Sequence, residues 1–254
     1  MDPFLHCYFP PPPRVSVIAP FARTFGGWQE VFWKGTWWGK VWHYDMRKAY
    51  RWAGCQGLPK MGTAYRTKDW DAPCAVYVCE LWGDTKPYAR SYGVHVVTSE
   101  ERDQLKITPK RVLFGVGFRD QVDLTPVFAR IDRLFPQCRD RISQSYWGMW
   151  NAIKGAEQVT WKSGHCVREL RNPMFNPIWA AFITSRVKLR LIPFLPIMLH
   201  CFVDSMLTKE LVVTGDRIGD WVLKESFRSV WIRGPGIWGE RDRTIKHCGL
   251  TRSE

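Results

Sequence analysis

The sequence predicts an α+β fold, an antiparallel sheet packed on helices, and three observations carry that reading. Aromatic and β-branched residues alternate through 28–45, with glycines as breaks, as half-buried strands do. Residues 197–214 read as a strand, a tight turn at Asp204-Ser205 and a returning strand. Helical patterns lie between these blocks, beginning after Thr98 and recurring at 123–153 and 178–191.

In chain order, Pro10 to Pro13 form a polyproline arm within residues 1–22. The run W-Q-E-V-F-W-K-G-T-W-W-G-K-V-W-H-Y-D then suggests a hairpin that delivers Asp45 to a strand end. Strands follow in A-P-C-A-V-Y-V-C-E-L and R-S-Y-G-V-H-V-V-T. The next helix has Thr98 or Ser99 as its cap and acidic residues in its first turn. Residues 123–153 set Val127, Ile131 and Leu134 on one face, with Arg130, Arg133, Arg139 and Arg141 on the other. Beyond the last helix, Pro193 and Pro196 end or kink it. The chain shows no internal repeat and no clear linker.

At 254 residues and 45% hydrophobic, the chain can bury a sizeable core. No stretch reaches the roughly 20 apolar residues that cross a bilayer, and no secretory leader is visible, so a membrane partner is not expected. Eight cysteines occur without a C-x-x-C pair. Reduced, buried thiols and a cytoplasmic setting are the expectation. The formal charge of +13, spread along the chain, points to a polyanion, with nucleic acid first. Fifteen tryptophans add to this, because Trp33, Trp37, Trp38 and Trp42 alternate with Lys34 and Lys40. Such interleaving can stack on bases and neutralise phosphates, although any single indole more often fills a core.

Asp45 ends the run V-W-H-Y-D-M-R-K-A-Y, and Asp204 lies in H-C-F-V-D-S. A carboxylate at the tip of an apolar strand costs several kcal/mol unless it is paired or metal-bound. If the two converge, a shared hard cation and phosphoryl or nucleotidyl transfer are the natural chemistry.

With these residues in view, the chain resembles family B DNA polymerases of the protein-primed type found in phages and linear plasmids. Phe25-Gly26-Gly27 is similar to the Y-x-G-G element, Tyr44 to Tyr50 to motif A, and Ser145 to Trp150 to motif B. His200 to Ser205 is similar to motif C, and Pro235 to Trp238 stands in the place of the K-x-Y element. The resemblance covers about 23–251 in ordered blocks. It implies a right-hand palm in two parts, 23–122 and 171–254, around a fingers helix pair in 123–170.

The resemblance also implies template-directed DNA synthesis from dNTPs on a primer hydroxyl, with two Mg²⁺ ions or Mn²⁺. Asp45, Asp204 and the Met46 carbonyl are the implied ligands. Tyr50 is the implied steric gate against ribonucleotides. Arg47, Lys48, Arg139, Arg141, Gln144, Trp147 and Gly148 are implied to bind the nucleotide. Phe25, Gly26, Gly27, Thr184, Lys188, Ser205 and Trp238 are implied to bind DNA. Only 44 residues precede Asp45, so proofreading is expected to be absent. Little follows the palm tail, so a terminal protein or accessory subunit is expected to replace the thumb.

Several positions depart from the family pattern. Phe202 replaces the first motif C aspartate, Asp140 stands where motif B has its lysine, and Gly236 takes the K-x-Y lysine's place. Each loss removes a charge-assisted contact of roughly 1.5–3 kcal/mol. Two alternatives therefore stay open: a catalytically silent palm that binds DNA or a replication partner, and a transferase with altered template or primer use.

Overall fold

The computed structural model describes residues 28–82, 94–134, 136, 157–162, 165–170, 176–240 and 246–247. The chain divides into two units, one built on Ala53–Arg186 and one on Gly26–Trp52 with Val187–Glu254.

The second unit is a seven-stranded sheet. Its strands are β1 (Gln29–Val31), β2 (Gly35–Met46), β11 (Met198–Phe202), β12 (Ser205–Thr208), β13 (Trp221–Gly234), β14 (Ile237–Gly239) and β15 (Lys246–His247), in the order β1-β11-β12-β2-β13-β14-β15. All its pairings are antiparallel, as the sequence predicted. The expected hairpin before Asp45 does not form. β1 pairs with β11, while β2 runs between β12 and β13. The glycine breaks lie within β2 rather than at a turn: Gly35 opens the strand with φ 112°, and Gly39, with φ 155°, falls at a break in its register with β13.

One face of this sheet buries Val41, Leu199, Leu207, Phe227, Val230, Ile232 and Trp238, with Trp37 packed against them. Each such side chain gains about 1.5–3 kcal/mol from leaving water. Two breaks in register, at Leu223/Glu225 and Phe227/Ser229, let the long β13 follow β2 while keeping Phe227 and Val230 inward.

The first unit holds a four-stranded sheet of β4 (Ala64–Arg66), β5 (Ala75–Leu81), β6 (Val94–Thr98) and β7 (Pro109–Phe118), in the order β4-β7-β5-β6. β5 is apolar from Ala75 to Cys79, and those residues are buried, as expected of a central strand covered on both faces. Two small pairs accompany it, β3 (Leu58–Pro59) with β8 (Gln121–Val122), and β9 (Glu157–Lys162) with β10 (His165–Leu170).

Two helices begin in one unit and end in the other, α1 (Ala49–Gly54) and α4 (Pro177–Leu191). α2 (Ser99–Leu105) has the predicted capping box, with Thr98 accepting from the Glu101 N–H and the Glu101 carboxylate accepting from the Thr98 N–H. α3 (Thr125–Leu134) realises the start of the 123–153 pattern, with Val127, Phe128 and Ile131 buried; the rest of that pattern lies outside the described residues. α4 is apolar nearly all round and is buried from Pro177 through Val187. It gives way at Ile192–Ile197 to a 3₁₀ turn holding Pro193 and Pro196, as the prolines predicted. Among the described residues, Cys55, Cys74, Cys79 and Cys201 are free thiols. No described helix is long and apolar enough to cross a membrane.

Candidate active site

Asp45 is near the end of β2, in the middle of the seven-stranded sheet. Ser205 of β12 faces it on one side and Val222 of β13 on the other. Asp204 lies beside Ser205, and its carbonyl accepts the Met46 N–H at 2.9 Å. The sheet ladder therefore gathers both aspartates at one end, as two separated sequence blocks had suggested.

The turn that carries Asp204 is Val203-Asp204, because Phe202 pairs directly with Ser205. The sequence had placed it one residue later. Val203 has φ 59°, a left-handed conformation at a β-branched residue. A two-residue hairpin turn with positive φ at its first position normally uses glycine there, and an L-residue pays roughly 1–2 kcal/mol for that geometry. Surrounding bonds hold it: Val203 donates its N–H to the Trp28 carbonyl at 2.8 Å, and the Ser205 hydroxyl donates to the Phe202 carbonyl at 3.0 Å. Strain fixed in this way concentrates at functional positions.

Burial pushes the Asp204 carboxyl up to about 6, and the neighbouring Asp45 charge adds to the shift, while a backbone hydrogen bond and Lys224 oppose it. Tyr50, the second residue of α1, is also affected. Its phenol is held well above the usual range, first by burial and then by Asp204 and Asp45. Tyr50 is therefore within electrostatic reach of both carboxylates, in the second unit with them.

The loop from Met46 to α1 is tightly braced. Arg47 donates its N–H to the Asp220 carbonyl at 2.9 Å, and its own carbonyl accepts the Gly219 N–H at 2.8 Å. Gly219 has φ 89°, and a Cβ there would come within 2.3 Å of the Trp52 ring, so only glycine fits. Arg190 completes the brace, with its guanidinium 5.5 Å over the Trp52 ring and donating to the Gly219 carbonyl at 3.1 Å. Lys48 follows with φ 52°, and its carbonyl accepts the Trp52 N–H that opens α1. The Arg47 side chain reaches the exposed Asp216 carboxylate at 3.3 Å.

Sequence reasoning missed Lys224. Its Nζ lies 3.2 Å from Asp45 Oδ2, with the lysine side chain 47% exposed and the aspartate 34%. Lys224 occupies the register break of β13 between Leu223 and Glu225. The only signal was its place in G-D-W-V-L-K-E, since a bulge that re-aims a side chain leaves no local pattern. The brace formed by Arg190, Trp52 and Gly219 was missed for a similar reason, because its parts are distant in sequence.

Other predicted residues fall elsewhere. Thr184, 8% exposed, lies in the first unit and donates its hydroxyl to the Ala180 and Ala181 carbonyls. Its side chain turns back onto α4 rather than outward. Trp238, 5% exposed, packs against Phe227 and His43 at 5.5 and 5.0 Å, so its ring faces are taken by the core and cannot receive a base. Lys188 is half-buried in the second-unit part of α4. His200 is a packed strand residue. Its Nε2 accepts the Gly236 N–H at 2.9 Å, and burial lowers its pKa to about 4. Phe25, Gly26, Gly27, Arg139, Arg141, Gln144, Trp147 and Gly148 lie outside the described residues.

The donors present fit a hard divalent cation. The Asp204 carboxyl, pushed up by burial and by the Asp45 charge beside it, is relieved by a shared positive charge. Mg²⁺ in particular is held by one or two carboxylates, with waters and substrate phosphates completing its shell. Among the described residues no group of three or more His, Cys, Asp or Glu side chains gathers, so what the described residues offer here is the aspartate pair.

Comparison with solved structures gives an independent view. Phi29 DNA polymerase complexed with primer-template DNA superposes with a TM-score of 0.68 at 13% identity, over 96% of this chain and 56% of that one. Its ternary complex with incoming nucleotide substrates gives 0.67 at 14% identity, over 96% and 57%. The fold is polymerase-like. This chain spans a little over half the length of the polymerase it matches. No protein-family model and no curated protein matches the sequence. At this identity the likeness describes the polymerase-like fold, and the function has to be argued from the site.

Proposed function

We propose that the chain is a DNA-directed nucleotidyltransferase that extends a primer hydroxyl with dNTPs, in the manner of protein-primed family B DNA polymerases. One observation carries the reading: Asp45 and Asp204 meet at the centre of an antiparallel sheet in a chain whose fold is polymerase-like. In this reading residues 23–122 and 171–254 are the palm and 123–170 the fingers.

Asp45, Asp204 and the Met46 carbonyl would hold Mg²⁺ or Mn²⁺, which supplies activation of the primer hydroxyl and neutralises phosphate charge. A cation has to displace the proton that the Asp204 carboxyl holds up to about pH 6, so its affinity should weaken as pH falls below that value. Tyr50 lies beside both carboxylates and serves as the gate beneath the sugar. Arg47 and Lys48 line the loop after Asp45 and offer cations to the triphosphate. Arg139, Arg141, Gln144, Trp147 and Gly148 complete the nucleotide pocket. Phe25, Gly26, Gly27, Lys188 and Ser205 guide primer-template DNA.

A second reading is favoured by one feature. Lys224 already neutralises Asp45, and Phe202 stands where the family has a further carboxylate. A silent palm that binds DNA as a subunit would have this arrangement. Primer extension with Mg²⁺ or Mn²⁺ separates the two. Extension by the wild type, lost in Asp45→Ala and Asp204→Ala, supports the enzyme. Equal primer-template binding by all three with no extension by any of them rejects it in favour of the silent palm.

A further inference from the structure

The outer face of the β2–β13 ribbon carries tryptophans and cations that the nucleotidyl-transfer reading does not use. Residues paired across an antiparallel ladder share a face, and alternate residues repeat it. Val41, Phe227 and Val230 point into the core. The opposite face therefore presents Thr36, Trp38, Lys40 and Trp42 on β2, with Ser226, Ser229, Trp231 and Arg233 on β13 and Arg228 at the register break. These positions include three cations and no carboxylate.

The rings on this face are pre-set. Trp38 is 68% exposed. Lys40 Nζ lies 5.4 Å over the Trp42 ring, and the Arg233 guanidinium lies 4.9 Å over the Trp231 ring. Trp231 is also pinned to its own sheet. Its indole N–H donates to the Glu240 carbonyl at 3.2 Å, and its ring lies across Gly239, where a Cβ would come within 2.7 Å. Glycine at 239 is what lets the indole lie flat. Trp38 pairs with Ser229, so Trp231 is its diagonal neighbour, about 7–8 Å away by ladder geometry.

We propose that this face is a binding platform for single-stranded nucleic acid, separate from the Asp45–Asp204 site. Bases stack on Trp38 and Trp42, beside the Trp231 indole that is held between Gly239 and Arg233, while Lys40, Arg228 and Arg233 neutralise the phosphates. Rigid indoles interleaved with cations are the chemistry of sequence-tolerant single-strand binding. The absence of carboxylates at these positions and the chain's +13 charge fit a polyanion rather than an acidic-rimmed protein contact. Double-stranded DNA hides its base faces and gains only the cations.

The test measures binding of the full chain to a labelled oligothymidylate of about 16 nucleotides, by anisotropy and by quenching of tryptophan fluorescence. Trp38→Ala and Trp42→Ala should each weaken single-strand binding roughly 5- to 150-fold, the equivalent of losing one stacked base. Trp38→Phe should retain most of it. Lys40→Ala with Arg233→Ala should lower the slope of log affinity against log salt by about 0.7 per cation. Trp82→Ala serves as the control, an exposed indole under Lys110 in the other unit, and should leave binding unchanged. Failure of primer extension leaves these outcomes untouched, so the platform and the polymerase reading fail separately. Wild-type single-strand affinity in both Trp38→Ala and Trp42→Ala overturns the proposal. So does a change in oligomeric state in these variants with no change in affinity, which would make the face a protein interface.

Discussion

Arg186 in the first unit is buried and Asp204 in the second half-buried, and their surroundings differ in kind. Arg186 is met on every side: its Nε and Nη2 hold the Glu100 carboxylate, and Nη1 and Nη2 donate to the carbonyls of Ala53 and Gly57. Asp204 is set instead beside a like charge, in a strained turn, with its carboxyl pushed up to about 6. A saturated charge of the first kind fixes a fold. An opposed pair of the second kind is what the proposed cation site would use.

The largest expected effect comes from breaking the saturated cluster. Arg186→Met leaves Glu100 and two carbonyls without their cation and should destabilise the chain by about 3–5 kcal/mol in urea unfolding. Removing charge from the opposed pair should do the reverse. The folded pKa of Asp204 lies above its ordinary value of 3.8, so the folded state holds the proton more tightly and stability falls as pH rises from about 4 to about 6. Asp204→Asn should therefore stabilise by up to about 3 kcal/mol at pH 7.5 and by almost nothing at pH 4. Equal unfolding midpoints for wild type and variant at both pH values would show that Asp204 is an ordinary surface carboxylate.

A smaller effect belongs to the cap of α2. Thr98→Ala loses the Glu101 N–H bond and a 2.7 Å hydroxyl contact with Ser185, and should cost about 1–2 kcal/mol. The smallest is at Lys224. Its half-exposed ion pair with Asp45 contributes under about 1 kcal/mol, so Lys224→Met should hardly change the unfolding midpoint. The same variant should tighten Mn²⁺ binding about 3- to 10-fold, because the cation no longer competes with an ammonium for Asp45. Unchanged or weaker Mn²⁺ affinity would show that Lys224 supports the site instead of competing for it.

What the sequence revealed was mostly local. The Thr98 cap, the end of α4 before its prolines and the strand of β5 were readable because each depends on neighbours in the chain. Asp45 and Asp204 stood out because a charge at the end of an apolar strand is costly wherever it lies. Pairing was harder to read. The partner of β1 is more than 160 positions away, and the bulges of β13 decide which side chains face inward. For that reason Lys224 went unnoticed, while Trp238 was expected to bind DNA although Ile232 and Phe227 share its core. Thr184 was misjudged at a finer scale, since a helical threonine can turn its hydroxyl back onto its own carbonyls.

The aspartate pair is tested most directly by Mn²⁺ titration of the purified chain near pH 7.5, followed by electron paramagnetic resonance without DNA or nucleotide. A cation site built on Asp45 and Asp204 predicts saturable binding that Asp45→Asn and Asp204→Asn each weaken by at least about 10-fold. The same affinity in wild type and both variants would contradict it.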